Sequence, residues 1–545
     1  MASLKELLKQ ASNFSESVDP TAARARPALQ LVEAGSPLPT TRIPAIRLKP
    51  GRLHEYSAAA EQVVQDVMYV QGDRMVRLGR AAELDEDKKD KEDVIQRDPE
   101  QQVILPASAE WLRRRLSERA EFEKFDARSE KWKVVDVPLD LVRHIAGQGE
   151  WPHWRELAGV ADAPFLRADL TICDRPGYDP GSRVYLQSCA GFPSIPAAPA
   201  RADAAAALER LLDPFGEFPF ASPAARSAFA AHILTAAARH AIDTRPIFVY
   251  TAPTAGTGKT LLSQMPGLIA DGCAPAIRQW PGEEPELRKA LLAALLVGDS
   301  SFLLDNITSG SRVRSAVLCA FSTSAIYADR LLGETQNCTA TNRCVLVLTG
   351  NNLTPASDLA RRSIVIRQDA QLERVRGRTF KITDLNSYVR EHRAALLVAA
   401  LTILRAYAIA EDKVSEPPLP SFERWSRVVR DPLVWLGLPD PLETQYDEAD
   451  DDADGLAEAF SGIKERFGDL EWTAAELEQA AGERAMGEQT ARAAALAAAL
   501  EAGNLIDIHK ARYWLRENRD RVSGGLKLVQ ASKHAGGARW SIREI

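Results

Sequence analysis

The stretch IFVYTAPTAGTGKT, residues 247–260, joins a short apolar run to a turn that contains two glycines and ends in Lys-Thr. The apolar run IFVY predicts a buried strand of a parallel sheet, because strands covered on both faces carry few polar residues. The segment TLLSQMPGLI, which follows, predicts a helix that starts where the turn ends. Strand, glycine turn and helix in this order form the context in which such a loop binds phosphate.

The residue types in this turn suit a bound triphosphate. Gly256 and Gly258 let the backbone approach phosphate oxygens and turn its N–H groups inward, and the helix N-terminus adds positive potential. Lys259 is expected to reach the β- and γ-phosphates, and Thr260 to offer its hydroxyl to Mg²⁺. Pro253 stands where the usual pattern has glycine, but its missing N–H and fixed φ are tolerable at the outermost position. The predicted ATP-binding residues are Pro253, Thr254, Ala255, Gly256, Thr257, Gly258, Lys259, Thr260 and Leu261.

A second apolar strand, residues 301–304, ends in Asp305. A carboxylate at a strand tip downstream of a phosphate loop predicts that Asp305 helps to hold the Mg²⁺. Asn306 comes next, and its amide cannot accept a proton at neutral pH, although it can orient the attacking water. Asp299 or Glu286 could act as the base instead, and the sequence leaves this choice open.

A third predicted strand, CVLVLTGNN at 344–352, ends in Asn351 and Asn352. An amide at this tip can lie between the metal-bound carboxylate and the γ-phosphate. Further on, Arg361 and Arg362 stand just before a fourth strand. They are either surface charges or a source of an arginine finger, which stabilises charge on the γ-phosphate of a neighbouring subunit and therefore requires a ring.

The order of GTGKT (256–260), LLDN (303–306), LTGNN (348–352) and LARR (359–362) resembles that of AAA+ ATPases. The flanking stretches narrow this likeness to the superfamily 3 helicase-like proteins of phages, plasmids and integrated elements, including poxvirus-type primase-helicases. Those stretches are residues 167–186, 327–337, 422–441 and 511–542. The resemblance covers roughly residues 165–545.

This resemblance implies a ring hexamer that hydrolyses ATP with Mg²⁺ and moves 3′-to-5′ on single-stranded or forked DNA, where other replication proteins could be its partners. It implies a sensor role for Asn351 and a finger role for Arg361 or Arg362. In such proteins a hairpin before the sensor strand carries basic residues into the pore. The candidate DNA contacts here are few: Arg312, Arg314, Arg330 and Arg343. Residues 1–165 contain no convincing primase motif, so primase activity is not implied.

The overall composition argues against several classes of protein. The chain has 545 residues and a formal net charge of −7, so it is not a basic nucleic-acid coat, and DNA contacts must be local. Its six cysteines include no CxxC pair, which favours buried thiols in a reducing cytosol over a zinc site or disulfides. The N-terminus lacks the apolar core of a signal peptide, and no apolar run is expected to approach the ~20 residues that span a bilayer. We therefore expect a cytoplasmic protein without a membrane contact.

The predicted fold class is α/β, with a P-loop AAA+ core, a mixed N-terminal domain and a C-terminal winged helix. Charge runs at 81–100 and 446–455 predict a solvated loop and a linker or exposed turn. The predicted units are a flexible lead-in (1–50), a mixed α/β domain (51–195), a helical collar (196–245), the ATPase domain (246–440), an acidic linker and helix (441–469) and a winged-helix-like domain (470–545).

The C-terminal prediction comes from helical segments followed by a glycine-containing hairpin. Residues 507–545 carry nine Lys or Arg against four Asp or Glu, in contrast to the acidic whole. Such a local excess predicts salt-dependent phosphate contacts. The candidate DNA contacts are Arg519, Arg521, Lys533 and Arg539, with the wing tip at 532–539. A winged helix that binds protein is the alternative.

Three functions are compatible with these patterns. The leading one is an ATP-driven DNA helicase or translocase of replication. The second is an AAA+ initiator or loader switch that binds DNA or a partner without unwinding. The third is an ATP-binding scaffold with little turnover, which Asn306 makes conceivable.

Overall fold

The computed structural model describes residues 43–85, 97–308, 312–330, 337–370, 380–445, 448–482, 511–534 and 537–545. Within them the chain forms a mixed α/β fold built on several sheets, the largest of which is five-stranded and parallel. The predicted lead-in therefore lies outside the described residues as far as position 42, and so do residues 86–96 of the first charge run.

Residues 43–195 form small sheets with four helices. A three-stranded sheet has Glu121–Asp126 between Ala45–Leu48 and Lys131–Val135. A four-stranded sheet runs in the order Gln102–Pro106, Arg74–Arg80, Tyr69–Gln71, Arg155–Glu156. The remaining strands are Gly159–Ala161, Phe165–Leu166, Ile172–Cys173, Gly177–Asp179 and Val184–Leu186, and the helices are Leu53–Val63, Ala82–Asp85, Ala109–Arg119 and Leu139–Gly147.

The parallel sheet contains strands that we number β1 to β5 in chain order. They are β1 (Ile247–Ala252), β2 (Ile277–Gln279), β3 (Ser301–Ile307), β4 (Val345–Asn351) and β5 (Ser363–Arg367), and they lie side by side in the order β2-β3-β4-β1-β5. All six residues of β1 are buried, as expected for a strand covered on both faces. Because all five strands are parallel, their carboxyl ends meet at one edge of the sheet.

Each face of this sheet packs against its own set of helices. Phe248 and Tyr250 of β1 point to a core shared with helices Arg201–Leu212, Pro223–Ala238, Lys259–Asp271 and Leu385–Ile409. Ile247 and Val249 point to a second core shared with helices Glu284–Val297 and Ala316–Ser322. Successive side chains of β1 thus enter the two cores in turn, which is why the whole strand is buried.

Leu385–Ile409 is the one described helix that is long and apolar enough to cross a membrane, judged by length and composition. Its apolar window is 56% buried inside the protein, where it packs on the helices Arg201–Leu212, Pro223–Ala238 and Lys259–Asp271. Arg393 and Arg405 bound the longest stretch of this helix without a charged residue, 394–404, which is shorter than a membrane span.

Arg393 of this long helix binds the last turn of helix Lys259–Asp271. Its Nε donates to Ile269 O at 3.2 Å, and its Nη2 donates to Ala270 O at 3.0 Å. The same Nη2 lies 2.7 Å from Oδ1 of Asp162, which belongs to the N-terminal part of the chain. One guanidinium therefore joins three separate elements.

Beyond the sheet, an antiparallel pair of strands, Ile326–Arg330 and Asn337–Thr341, directly precedes β4, and Arg312–Val313 pairs with Thr354–Pro355. A helical segment follows the long helix, with a π-helical turn in its middle and a 3₁₀ turn after it: Glu423–Trp425, Ser426–Arg430, Asp431–Trp435 and Pro441–Thr444. The acidic run at 446–455, expected as a linker or turn, is helical from its third residue, because helix Glu448–Phe467 includes it.

The C-terminal residues form a four-stranded antiparallel sheet with its own core. The strand order is Trp472–Thr473, Gly537–Glu544, Leu526–His534, Val522–Ser523. Helices Glu448–Phe467, Ala474–Gly482 and Ala511–Glu517 pack around it. The helix predicted around residues 488–506 lies outside the described residues, so the winged-helix assignment stays a prediction.

Candidate nucleotide-binding site

The glycine loop, residues 253–258, connects the carboxyl end of β1 to helix Lys259–Asp271. Gly256 and Gly258 both have positive φ, +84° and +85°, in the region that favours glycine. A Cβ on Gly258 would also lie 3.1 Å from the ring of Phe218. The loop therefore needs both glycines, and its exposed members include Pro253, Ala255 and Gly256.

Lys259 is 9% exposed and turns its ammonium back onto this loop. Its Nζ donates to Asn351 Oδ1 at 2.7 Å, Thr254 O at 3.2 Å and Thr257 Oγ1 at 3.3 Å. Burial lowers the pKa of Lys259, and the nearby Asp305 carboxylate opposes that shift. These three hydrogen-bonding partners are neutral oxygens, so the position suits an anion that could supply the missing countercharge.

Asp305 lies near the end of β3, opposite the start of the helix. Its Oδ1 accepts from Thr260 Oγ1 at 2.9 Å and also from the hydroxyl of Thr349 in β4. Carboxylate and hydroxyl oxygens are the hard donors that Mg²⁺ prefers, so the residues present fit this ion. Thr349 was not predicted from the sequence; its position two residues before Asn351, on the same face of the strand, was the available signal.

The end of β3 is irregular where Asn306 follows Asp305. The register between β3 and β4 shifts between Leu304 and Ile307, and Asn306 has a φ of +55°. Its backbone N–H donates to Thr349 Oγ1 at 3.3 Å, and its side chain is exposed. The strand was expected to stop at Asp305, but this bulge lets it continue to Ile307.

The two asparagines at the tip of β4 have different surroundings. Asn351 contacts Lys259, whereas Asn352 has a φ of +46° and an exposed side chain. The backbone N–H of Asn352 donates to Ala252 O at 3.0 Å, which ties the tip of β4 to the start of the glycine loop. Of the pair, Asn351 is the one brought to the predicted phosphate position.

Asp299 is removed as a candidate base by its location before β3, at the amino edge of the sheet. Its carboxylate is bound by Arg97 in a bidentate pair, Nε to Oδ1 at 3.1 Å and Nη2 to Oδ2 at 2.8 Å, and also by Arg278. Six residues of strand separate it from Asp305, or roughly 20 Å. Glu286 lies in the first turn of helix Glu284–Val297 with an exposed side chain paired to Lys289 at 2.7 Å.

Arg361 and Arg362 lie at the amino edge of the sheet, because Ser363 of β5 pairs with Ile247 at the start of β1. Arg361 is 61% exposed and pairs with Asp358. The side chain of Arg362 is 15% exposed, and it donates to Cys319 O and Thr323 Oγ1, both at 3.2 Å. The structure thus separates the two residues: Arg362 is anchored inside its own subunit, and Arg361 projects outward, roughly 20 Å from the glycine loop of the same chain.

The predicted pore residues are not equivalent. Arg312 and Arg314 are exposed on either side of Val313, and Arg330 is exposed at the end of its strand, next to residues 331–336, which lie outside the described residues. Arg343 differs, since its Nη1 donates to Ile242 O at 3.2 Å and lies 3.4 Å from Asp243 Oδ1. Its side chain is 15% exposed, and burial lowers its pKa. This placement argues against Arg343 as a DNA contact.

In the C-terminal sheet, Arg519 is 56% exposed beside Asp520, and Arg521 donates to Asn518 Oδ1 at 3.0 Å. Arg539 is half-buried and donates to Glu471 O at 3.3 Å. Lys533 belongs to strand Leu526–His534, but its side chain and residues 535–536 of the predicted wing tip (532–539) lie outside the described residues.

Comparison with known proteins does not identify a family for this chain. No protein-family model matches the chain, and no curated protein matches it. Among solved structures, an A form apo structure of the C-terminal region of NrS-1 aligns at 12% identity over 82% of this chain and 94% of that one, with a TM-score of 0.31. A second apo structure of that region aligns at 11% identity over 81% and 94%, with a TM-score of 0.30. Likeness at this level supports no conclusion about fold or function.

Proposed function

We propose that this protein is an ATP-dependent DNA helicase or translocase that acts as a cytoplasmic ring hexamer on single-stranded DNA during replication of a mobile element. The observation that carries the proposal is the meeting of Lys259, Thr260, Asp305 and Asn351 at the carboxyl edge of one sheet. Around a single glycine loop they provide a cation, two hard oxygen ligands and an amide. That combination is suited to a nucleoside triphosphate and its divalent ion.

The roles of these residues follow from their contacts. The loop N–H groups and Lys259 hold the phosphates, and Asn351 fixes the ammonium of Lys259 at the tip of β4. Thr260 and Asp305 would hold Mg²⁺, and Thr349 orients the carboxylate of Asp305 through its hydroxyl. The ion, when bound, neutralises charge on the β- and γ-phosphate oxygens.

Action in a ring is supported by Arg361. An exposed guanidinium at the amino edge of the sheet is far from the glycine loop of its own chain. It can serve as an arginine finger only for a neighbouring subunit, whose γ-phosphate it would stabilise in the transition state. A ring of such contacts makes every subunit's hydrolysis depend on the next, as a motor requires.

Contact with DNA is supported by the exposed Arg330 on the strand pair that precedes β4, and by Arg519 and Arg521 in the C-terminal sheet. Phosphate contacts of this kind give affinity without sequence information. The C-terminal unit, with its paired strands and helices, is proposed as a winged helix.

A second candidate is an AAA+ initiator or loader switch, which would bind DNA or a partner without unwinding. The burial of Arg343 favours this candidate. Of the two basic residues predicted near the strand pair, Arg330 is exposed in the described part of the chain and Arg343 is not. Asn306 also favours slow turnover, since an amide accepts no proton.

The deciding experiment measures ATP turnover with and without single-stranded DNA, then strand displacement on a forked duplex, and counts subunits by particle imaging. DNA-stimulated turnover with displacement by a hexamer supports the motor. Turnover without displacement supports the switch. ATP binding without any turnover contradicts both, with Lys259→Ala as the control for contaminating ATPases.

A further inference from the structure

Apart from the carboxylate of Asp305, which is proposed to bind the metal, the described residues of the site offer no proton acceptor for the attacking water. Asn306 occupies the position after the metal-binding carboxylate, and Asp299 lies at the opposite edge of the sheet. Building on the proposed ATPase function, we infer that Glu283, on the loop that follows β2, is the general base. If the base lies on the loop after the neighbouring strand β2, ATP can be hydrolysed although Asn306, the residue after Asp305, carries an amide.

The placement of Glu283 follows from strand register. β2 is the immediate neighbour of β3, and its last residue, Gln279, is paired with Asp305. Adjacent strands lie about 4.8 Å apart, so the chain that leaves β2 begins beside the metal-binding carboxylate. Gly282, with a φ of +76°, then turns the chain, and Glu283 is the N-cap of helix Glu284–Val297. The residue therefore lies at the same edge as the glycine loop.

The carboxylate of Glu283 is also uncommitted. It is exposed, it makes no side-chain hydrogen bond to its own helix, and among the described residues it has no ion pair. Its two acidic neighbours differ, because Glu284 Oε2 accepts from Val317 N at 3.1 Å and Glu286 is paired with Lys289. A base must be able to approach water, and of the three only Glu283 has no other partner to give up.

Carboxylates beside β5 start further from Asp305 than the loop after β2 does. Glu217 and Asp369 lie beside the end of β5, where Glu217 Oε2 accepts from Lys381 N at 2.8 Å. β5 is three strands away from β3, or roughly 14 Å at the usual spacing. β2 is one strand away from β3, so the chain that leads to Glu283 starts closer to Asp305 than these two acids do.

In the reaction, the water oxygen forms a bond to the γ-phosphorus while the bond from that phosphorus to the β,γ-bridging oxygen breaks. Glu283 accepts one proton of the water and later returns it to solvent. The electron pair of the broken bond stays with ADP, and inorganic phosphate leaves. Asn306, with its exposed amide, positions the water but takes no proton.

The test compares Glu283→Gln with Glu286→Gln, a matched change three residues along the same helix. We expect Glu283→Gln to lower kcat by ~100-fold or more, the contribution typical of a general base. Binding of a fluorescent ATP analogue should change less than about twofold, because the residue contacts water rather than phosphate. Glu286→Gln should keep the kcat of the parent protein. In Glu283→Ala, added formate should restore part of the lost turnover, which a merely structural role would not allow.

The outcomes separate this inference from the proposed function. If the parent protein hydrolyses ATP, Lys259→Ala does not, and Glu283→Gln keeps at least a third of the kcat, then the ATPase stands and Glu283 is not its base. An equal loss in Glu283→Gln and Glu286→Gln, without formate rescue, also overturns the assignment. If the parent protein shows no turnover above that of Lys259→Ala, the proposed function and this inference fall together.

Discussion

The ammonium of Lys259 lies 2.7 Å from the side-chain oxygen of Asn351, so the first residue of a helix and the last residue of β4 are joined across the glycine loop. The two residues are separated by 92 positions in the chain. This contact holds the cation in place without neutralising it, because an amide oxygen carries no net charge. It is the contact that a γ-phosphate would replace or share.

Lys259→Ala is expected to abolish ATP turnover, since it removes the principal phosphate cation of the site. Turnover is measured as phosphate release by the purified protein. Lys289→Ala is the control and should keep parental activity. Lys289 belongs to the next helix along the chain, and its side chain is 40% exposed. Phosphate release by Lys259→Ala at the parental rate would contradict the assigned role of the loop.

Arg361→Ala and Arg362→Ala are expected to impair different properties, the first ATP turnover and the second stability. Arg361→Ala should lower turnover on the order of 1,000-fold with ATP affinity nearly unchanged, as for an arginine finger. Arg362→Ala should mainly lower the melting temperature, because its guanidinium binds Cys319 O, Thr323 and Asp358 within the subunit. Melting curves and kcat of both variants are compared with those of Arg114→Ala, an exposed and paired arginine far from the sheet.

The same variants test whether sites are shared between subunits. Mixing Arg361→Ala with Lys259→Ala should restore part of the turnover, because an intact finger then meets an intact loop at some interfaces. Absence of recovery at every mixing ratio would count against a finger that acts in trans.

Asp299→Asn is expected to destabilise the protein by about 3–5 kcal/mol, because it leaves two buried arginines, Arg97 and Arg278, without their countercharge. The turnover of the molecules that remain folded should not change, since Asp299 lies at the far edge of the sheet from the loop. Chemical denaturation and kcat per folded molecule measure the two effects. A stable Asp299→Asn protein with little turnover would restore Asp299 as a catalytic candidate.

Asp431 predicts a pH dependence of stability. Burial raises the pKa of Asp431 to about 6 from an ordinary value of 3.8, and its Oδ1 has no hydrogen bond among the described residues. The folded state therefore holds a proton that the unfolded state releases between these values, so this contribution falls as the pH rises from about 4 to 6. Asp431→Asn should flatten that part of the stability profile in denaturation measured from pH 4 to 7. An unchanged slope would show that Asp431 does not titrate there.

Arg519→Ala combined with Arg521→Ala is expected to reduce the salt dependence of DNA binding. On single-stranded DNA each lost phosphate contact lowers the magnitude of the slope of log K against log salt by about 0.7, so the double variant should lose about 1.4. Fluorescence anisotropy with a single-stranded oligonucleotide at several salt concentrations gives the slope. A slope equal to that of the parent would favour a C-terminal unit that contacts protein.

The sequence predicted those parts of the site that depend on neighbours along the chain. The apolar run 247–250 and the two glycines after it define a strand and a turn locally, and both lie where expected. The partners of Asp299 could not be predicted, because Arg97 is 202 positions away and only the folded sheet brings them together. Likewise, Arg361 and Arg362 cannot be distinguished as finger candidates from the sequence. Only the folded protein shows that Arg362 is anchored by helix Ala316–Ser322, through Cys319 O, and that Arg361 is not.

The hydrogen bonds from Arg393 to the last turn of helix Lys259–Asp271 connect the helix that follows the glycine loop to distant parts of the fold. Eleven residues from Lys259 to Ala270, at about 1.5 Å each, place that turn roughly 16 Å from the loop, and Pro266 lies between them inside the helix. A shift of this helix along its axis would therefore have to break, or carry with it, the contact of Arg393 with Asp162.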